Sequence, residues 1–187
     1  MGTVVVSQFI SVDGVVEDPG GAEEFERGGW AFKFERGDEG DRFKLDEVRS
    51  SEALLLGRVT FEGFAQAWPS REGEFADKFN GMPKYVVSRT LRDPAWNNSS
   101  VIAGDLAQAV SELKRDVQGD ILVNGSIQLV RTLTELGLVD EYRLMVFPTV
   151  LGAGKRLFGE TSQSRNLRLV ESKPAGETVI LIFAPAG

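Results

Sequence analysis

The stretch Asp120–Arg131, with the sequence Asp-Ile-Leu-Val-Asn-Gly-Ser-Ile-Gln-Leu-Val-Arg, carries the strongest indication of the fold. Its first apolar run is typical of a buried strand, and the later apolar residues, spaced to positions 133 and 136, fall on one face of a helix. Asn124, Gly125 and Ser126 lie between the two, at a strand-to-helix junction. Such a junction directs backbone N–H groups and the positive helix end outward, and Gly125 permits close approach. It is either a phosphate cradle or an ordinary turn in which Ser126 caps the helix.

Two further strand patterns end in residues of the same kind. The apolar run 53–56 leads into Gly57-Arg58-Val59-Thr60, and the run 84–87 leads into Ser88-Arg89-Thr90. Guanidinium groups match phosphate in a bidentate way, although each arginine alone can equally be half of a surface ion pair. Because ligands of open α/β sheets gather beyond the carboxyl ends of the strands, the three junctions together predict one ligand site.

The remaining pattern is an alternation of strands and helices that ends in consecutive strands. Strands are predicted at 3–10, 142–147, 166–171 and 178–184, and helices at 41–51, 61–65, 70–80 and 106–117. This order predicts an α/β, three-layer αβα fold. Its mixed, mainly parallel sheet carries helices on both faces and an antiparallel C-terminal hairpin. Residues 1–187 are predicted to form a single domain. The charged segment 17–40 contains interleaved aromatic residues, so it either closes over a ligand or anchors an irregular loop to the core.

Composition excludes several classes of function. The chain has 187 residues, a net charge of −7, and neither histidine nor cysteine. The charge argues against nucleic-acid binding, and the apolar runs are too short for a membrane span. A Ser-His-Asp triad, thiolate catalysis, disulfides and histidine or cysteine metal sites are impossible, and no metal site is predicted. The N-terminus lacks a basic signal segment, so a cytoplasmic location is expected.

Four ordered motifs carry a resemblance to a known family. They are Ser11-Val12-Asp13-Gly14, the run 54–62 around Gly57-Arg58, the run 85–89, and the run from Ile121 through Asp140-Glu141 to Gly152. Together they resemble the dihydrofolate reductase-like superfamily. The best match is the C-terminal reductase domain of the bifunctional riboflavin-biosynthesis deaminase-reductase (the RibD C-terminal domain), in a stand-alone form. The resemblance covers nearly the whole chain.

The resemblance implies a reductase that uses NADPH. It places the cofactor phosphates at Gly57, Arg58 and Thr60, the adenosine 2′-phosphate near Ser88 and Arg89, and the pyrophosphate at the junction of Asn124, Gly125 and Ser126. The segment from Val12 to Val16 would line the nicotinamide side of the site, and Val16 is its candidate cofactor-binding residue. The family usually has two adjacent glycines where this chain has Asn124-Gly125.

The resemblance also implies a small-molecule substrate of the pyrimidine or pteridine type, reduced at a C=N or C=O bond. The reaction would be like that of 5-amino-6-(5-phosphoribosylamino)uracil reductase in the riboflavin pathway, or like dihydrofolate reduction. A helix carboxylate is the usual substrate anchor, and Asp41, Asp46 and Glu47 are the catalytic candidates. The alternative is a catalytically silent module that binds a nucleotide or pterin. Family members often form homodimers, for which the closing strands offer an interface.

Overall fold

The computed structural model describes residues 1–160 and 163–187, which form an α/β fold. The strands are β1 (Thr3–Ser11), β2 (Ser51–Gly57), β3 (Lys84–Val87), β4 (Ser99–Ile102), β5 (Asp120–Asn124), β6 (Glu141–Phe147), β7 (Leu167–Ala175) and β8 (Thr178–Pro185). The helices are α1 (Gly37–Ser50), α2 (Arg58–Ala67), α3 (Glu74–Gly81), α4 (Leu106–Asp116) and α5 (Ile127–Glu135), and a 3-10 helix spans Trp30–Lys33. No helix in the described part of the chain is both long and apolar enough to cross a membrane.

One sheet of eight strands forms the middle layer, in the order β4-β3-β2-β5-β1-β6-β8-β7. The first six of these pair in parallel, whereas β8 pairs antiparallel with both β6 and β7. The predicted mixed, mainly parallel sheet and the antiparallel C-terminal hairpin are therefore confirmed. Because β5 lies between β2 and β1, the ends of these three strands are neighbours at one edge, which we call the carboxyl edge.

Alternating residues of β1 divide the core between the two faces of the sheet, as expected for a strand that is buried on both sides. Val4 and Val6 pack in one cluster with the apolar faces of α4 and α5. Val5 packs in a second cluster, on the opposite face, with residues of α1, α2 and α3. The helices thus form the outer layers of the predicted three-layer arrangement.

The segment predicted as a loop at 17–40 is partly helical, so that boundary prediction was wrong. α1 begins at Gly37, four residues before the predicted start, with Asp38 and Glu39 in its first turn. Acidic side chains stabilise the positive end of a helix, but this stretch lacks the apolar periodicity by which the helix was recognised. Trp30 is fully buried under the C-terminal hairpin, so the segment is anchored to the core.

Candidate functional site

The β5–α5 junction is locked to the β2–α2 junction by two hydrogen bonds. The Gly57 N–H donates to Ser126 Oγ at 2.9 Å, and the Ser126 N–H donates to Thr60 Oγ1 at 2.9 Å. Ser126 occupies the N-cap position of α5 in a left-handed conformation (φ 50°), and its side chain makes no capping hydrogen bond. The interpretation of Ser126 as an ordinary cap was therefore wrong, because its hydroxyl joins two strand ends instead.

Gly125 is required by this arrangement. Its φ is 54°, a region that disfavours side chains, and a Cβ there would lie 3.0 Å from Thr60 Cγ2. The Gly125 carbonyl accepts a hydrogen bond from Gln8 Nε2 at 2.7 Å, and Asn124 Nδ2 donates to the Ser7 carbonyl at 3.3 Å. The junction is thus held from β1 on one side and from α2 on the other.

The N-terminal ends of α2 and α5 lie side by side at this edge. Their N-cap residues, Gly57 and Ser126, provide no side-chain cap to either helix. The first-turn N–H groups of both helices are therefore available to a ligand, and each helix end carries a partial positive charge. Two such ends on neighbouring strands form a donor set suited to an anion.

The two predicted arginines differ in their surroundings. Arg58 forms an ion pair with Glu62 at 2.9 Å, one turn further along α2, and its side chain is 45% exposed. Arg89 is exposed, and it makes no ion pair with any other residue that the structure describes. Ser88 Oγ accepts hydrogen bonds from the N–H groups of Thr90 and Leu91, so it shapes the loop that carries Arg89.

Register places Ser88 at the carboxyl edge as well. Gly57 pairs with Val87, so Ser88 follows the residue beside the β2–α2 junction. Gly57, Thr60, Asn124, Gly125 and Ser126 are thus brought into contact by the structure, with Ser88 and Arg89 on the next strand end.

The side chain of Val16 is buried, unlike the exposed residues at the strand ends. Only 4% of Val16 is exposed, and it packs in the α4–α5 cluster. The segment around it is tied to the loop after β6. Asp13 accepts hydrogen bonds from Ser11 Oγ and from the N–H groups of Leu151 and Gly152. These bonds, the one from Ser11 first, lower the pKa of Asp13 to about 2. The ends of β1 and β6 are therefore joined by an ionised carboxylate.

The three candidate carboxylates on α1 have separate environments. Asp41 and Asp46 have side chains that are 64% and 58% exposed, and they pair with Arg36 and Arg49. Glu47 is buried, with only 1% of its side chain exposed. Glu47 therefore faces the sheet, whereas the two aspartates face solvent.

Ser7 and Lys44, which contact Glu47, were not predicted as site residues, and neither was Gln8. Glu47 Oε1 accepts a hydrogen bond from Ser7 Oγ at 2.9 Å and contacts Lys44 Nζ, which also donates to Ser7 Oγ at 2.8 Å. Glu47 Oε2 is buried without a hydrogen-bond partner in the described residues. Ser7 and Gln8 interrupt an otherwise apolar strand. That interruption was the signal that could have identified them.

Two surface cavities lie away from the carboxyl edge. One, of about 370 Å³, is lined by residues of α2, α3 and the loop at 95–97, and the other, of about 320 Å³, is lined by the end of α5 and the C-terminal strands. Neither includes a residue of the three junctions. No group of three or more acidic residues in the described ranges is placed to hold a metal ion.

Comparison with protein families shows a match over residues 2–181 to the model described as "RibD C-terminal domain". The chain is 29% identical over 184 residues to the uncharacterized protein YyaP of Bacillus subtilis, covering 96% of this chain and 92% of the relative. The uncharacterized protein YwjB of the same organism is 28% identical over 182 residues, covering 95% and 94%.

Solved structures share the fold. A putative riboflavin biosynthesis protein from Shewanella sp. PV-4 superposes with a TM-score of 0.80 at 18% identity, covering 99% of both chains. A deaminase and 5-amino-6-(5-phosphoribosylamino)uracil reductase from Thermotoga maritima gives a TM-score of 0.66 at 13% identity. It is matched over 99% of this chain and only 57% of its own length. At these identities the likeness concerns the fold alone.

Proposed function

Because the chain belongs to the RibD C-terminal domain family, we propose that it is an NADPH-dependent reductase. Its substrate would be a pyrimidine- or pteridine-type small molecule with a reducible C=N or C=O bond. The observation that carries the proposal is the direct lock between two strand-to-helix junctions, Gly57–Thr60 and Asn124–Ser126. The lock sets two uncapped helix ends side by side, where they favour a pyrophosphate.

The residues at the carboxyl edge fit NADPH in their chemistry. The α2 and α5 N-termini would bind the pyrophosphate, Arg58 would add charge, and Arg89 with Ser88 would take the 2′-phosphate. Bound NADPH supplies the hydride, while the protein orients the reactants and excludes water. Val12, Val59 and Val150 are 62%, 66% and 71% exposed and follow β1, β2 and β6. They offer apolar surface to the cofactor and substrate rings.

The cofactor assignment is tested by titrating NADPH and NADH separately and following nicotinamide fluorescence and melting temperature. We expect Arg89→Ala to weaken NADPH binding by about tenfold to a hundredfold and to leave NADH binding unchanged, because only NADPH carries the 2′-phosphate. The matched control is Arg92→Ala, three residues further along the same exposed loop. An equal loss for both cofactors would contradict the assignment of Arg89, and no saturable binding to the wild-type protein would refute the function.

A second candidate function is a silent binding module of the same fold. It is favoured by the state of the α1 carboxylates, since Asp41 and Asp46 pair with arginines in solvent and Glu47 is already engaged by Ser7 and Lys44. This candidate predicts that NADPH binds and stabilises the protein. It also predicts that NADPH is not oxidised when any pyrimidine or pterin is added. Turnover with one such compound would exclude it.

We further propose a homodimer formed through β7, which is the edge strand opposite β4 in the described sheet. This strand and its neighbour expose Leu169, Val170 and Val179 by 52%, 49% and 41%. Exposed apolar edge strands pair readily with another chain. Sedimentation should show a dimer that Val170→Lys dissociates, whereas Leu136→Lys, an exposed apolar position at the end of α5, should leave it intact. A wild-type monomer would refute this interface.

A further inference from the structure

We propose that the substrate ring is bound by a hydrogen bond from Lys44 rather than by a carboxylate. Because an ammonium group only donates hydrogen bonds, the ring must present carbonyl or other acceptor atoms to it. This inference rests on the proposed function, because it assigns the substrate side of the same site. It differs from a carboxylate-anchored site, which would select a ring that presents donors.

The position of Lys44 relative to the junction is the first argument. Ser7 pairs in register with Asn124, and the Ser7 carbonyl accepts the hydrogen bond from the Asn124 side chain. The Ser7 hydroxyl, on the face toward α1, contacts both Lys44 Nζ and Glu47 Oε1. One residue of β1 therefore connects the proposed pyrophosphate cradle to the Lys44–Glu47 pair.

The hydrogen-bonding capacity of the Lys44 ammonium group is the second argument. An ammonium group has three donors, and two of those on Lys44 are directed at Ser7 and Glu47. The third has no hydrogen-bond partner among the residues that the structure describes, so it is left for a ligand, and 13% of the side chain is exposed, which provides access. Glu47 is less able to bind a ligand. One of its oxygens accepts the hydrogen bond from Ser7, and the other is buried 3.9 Å from the Arg143 guanidinium.

The charge around the half-buried Phe9 ring is the third argument. Lys44 Nζ lies 5.5 Å from the ring centroid and the Arg36 guanidinium carbon lies 5.6 Å from it. Phe9 is two residues before the end of β1, so this aromatic and cationic surface lies next to the carboxyl edge. Two cations beside one ring favour a flat ligand that is rich in acceptors or negatively charged.

Glu47 and Ser7 then act as positioning residues for Lys44. Arg143 is occupied elsewhere, by Glu141 at 2.6 Å and Asp120 at 2.9 Å. Glu47 is therefore the carboxylate that fixes the ammonium, while its own charge is partly balanced by Arg143. Glu47→Gln should weaken ligand binding less than Lys44→Met, because the side-chain oxygen of glutamine can still accept a hydrogen bond from Lys44.

The test uses two small rings as binding probes, each followed by calorimetry with and without saturating NADPH. 5,6-Diaminouracil presents carbonyl acceptors, and 2,4-diaminopyrimidine presents the donor pattern that a carboxylate binds. We expect the wild-type protein to bind the uracil in preference to the pyrimidine. Lys44→Met should lose about tenfold to a hundredfold in affinity for the uracil, and Lys44→Arg should retain most of it.

Lys173→Met is the matched control, because Lys173 also pairs with an α1 carboxylate, Glu39, and lies 5.5 Å from the centroid of an aromatic ring, Phe43. It should bind the uracil as the wild type does. Equal uracil binding by wild type and Lys44→Met would overturn the inference, as would a preference for 2,4-diaminopyrimidine that Glu47→Gln abolishes. If NADPH fails to bind while the uracil binds in a Lys44-dependent way, the proposed function fails and this inference stands.

Discussion

Replacement of Gly125 by alanine tests the contact on which the candidate site is built. Gly125 has a φ of 54°, and an added Cβ would lie 3.0 Å from Thr60 Cγ2 and 3.1 Å from Thr60 Oγ1. The left-handed backbone alone costs a residue with a Cβ about 1–2 kcal/mol. The overlap with Thr60 adds about 1–3 kcal/mol, because the threonine must move and weaken its bond to the Ser126 N–H.

Gly137 provides the control that separates these two costs. Its φ is 66°, but a Cβ there would meet no atom of the described residues within 4 Å. Gly137→Ala should therefore carry the backbone cost alone, and Gly125→Ala should be less stable than it by the overlap cost. Each 1 kcal/mol corresponds to a melting-temperature change of roughly 2–4 °C in a chain of this size.

The assay is urea unfolding of both variants, together with NADPH titration. Gly125→Ala should weaken NADPH binding because it separates the two helix ends, and Gly137→Ala should not. Thr60→Ser removes the Cγ2 atom and keeps the hydroxyl, so the double variant Gly125→Ala/Thr60→Ser should regain part of the lost stability. If Gly125→Ala costs no more than Gly137→Ala, the two junctions are not in the tight contact described above.

Two further predictions concern buried or shifted charges. Burial lowers the pKa of Lys84 from 10.5 to about 8, so the unfolded chain binds more protons between these pH values. The wild type should therefore gain up to about 3 kcal/mol relative to Lys84→Met as pH rises from 7.5 to 10.5 in urea unfolding, and a constant difference would contradict the shift. For Asp13, with its pKa lowered to about 2, the stabilising contribution is present above pH 4 and lost as pH falls through 2. Asp13→Asn should cost about 1–2 kcal/mol at pH 7 and much less at pH 2, as thermal unfolding at both pH values would show.

The fold was largely predictable because its strands are buried on both faces. Continuous apolar runs such as 121–123 and 53–56 can be recognised without knowledge of their neighbours. The N-terminal turn of α1 was missed because its charges are stabilised by the helix end rather than by an apolar face. The sequence pattern does not distinguish Lys84 from an ordinary strand residue, although its buried ammonium group donates hydrogen bonds to three backbone carbonyls.

The candidate site was predictable in its location but not in its connections. Parallel strands necessarily bring Gly57 and Gly125 to one edge once β5 lies beside β2. The sequence does not reveal that the Ser126 hydroxyl binds another strand end, because capping serines have the same local pattern. Nor does it distinguish Asp46 from Glu47, since adjacent helical residues point in directions that only the rotation of the helix about its axis determines.

The position of β5 has a consequence for how the protein is made. Residues 120–124 are synthesised after β1 to β4, yet they must insert between β1 and β2, which do not pair with each other. The sheet cannot grow by adding each new strand to its edge, and closure of such long loops slows folding. In a nascent chain that ends before residue 120, β1 and the group β2-β3-β4 would lack the strand that joins them. The proposed binding of NADPH would then appear late during refolding, and its recovery would report the arrival of that strand.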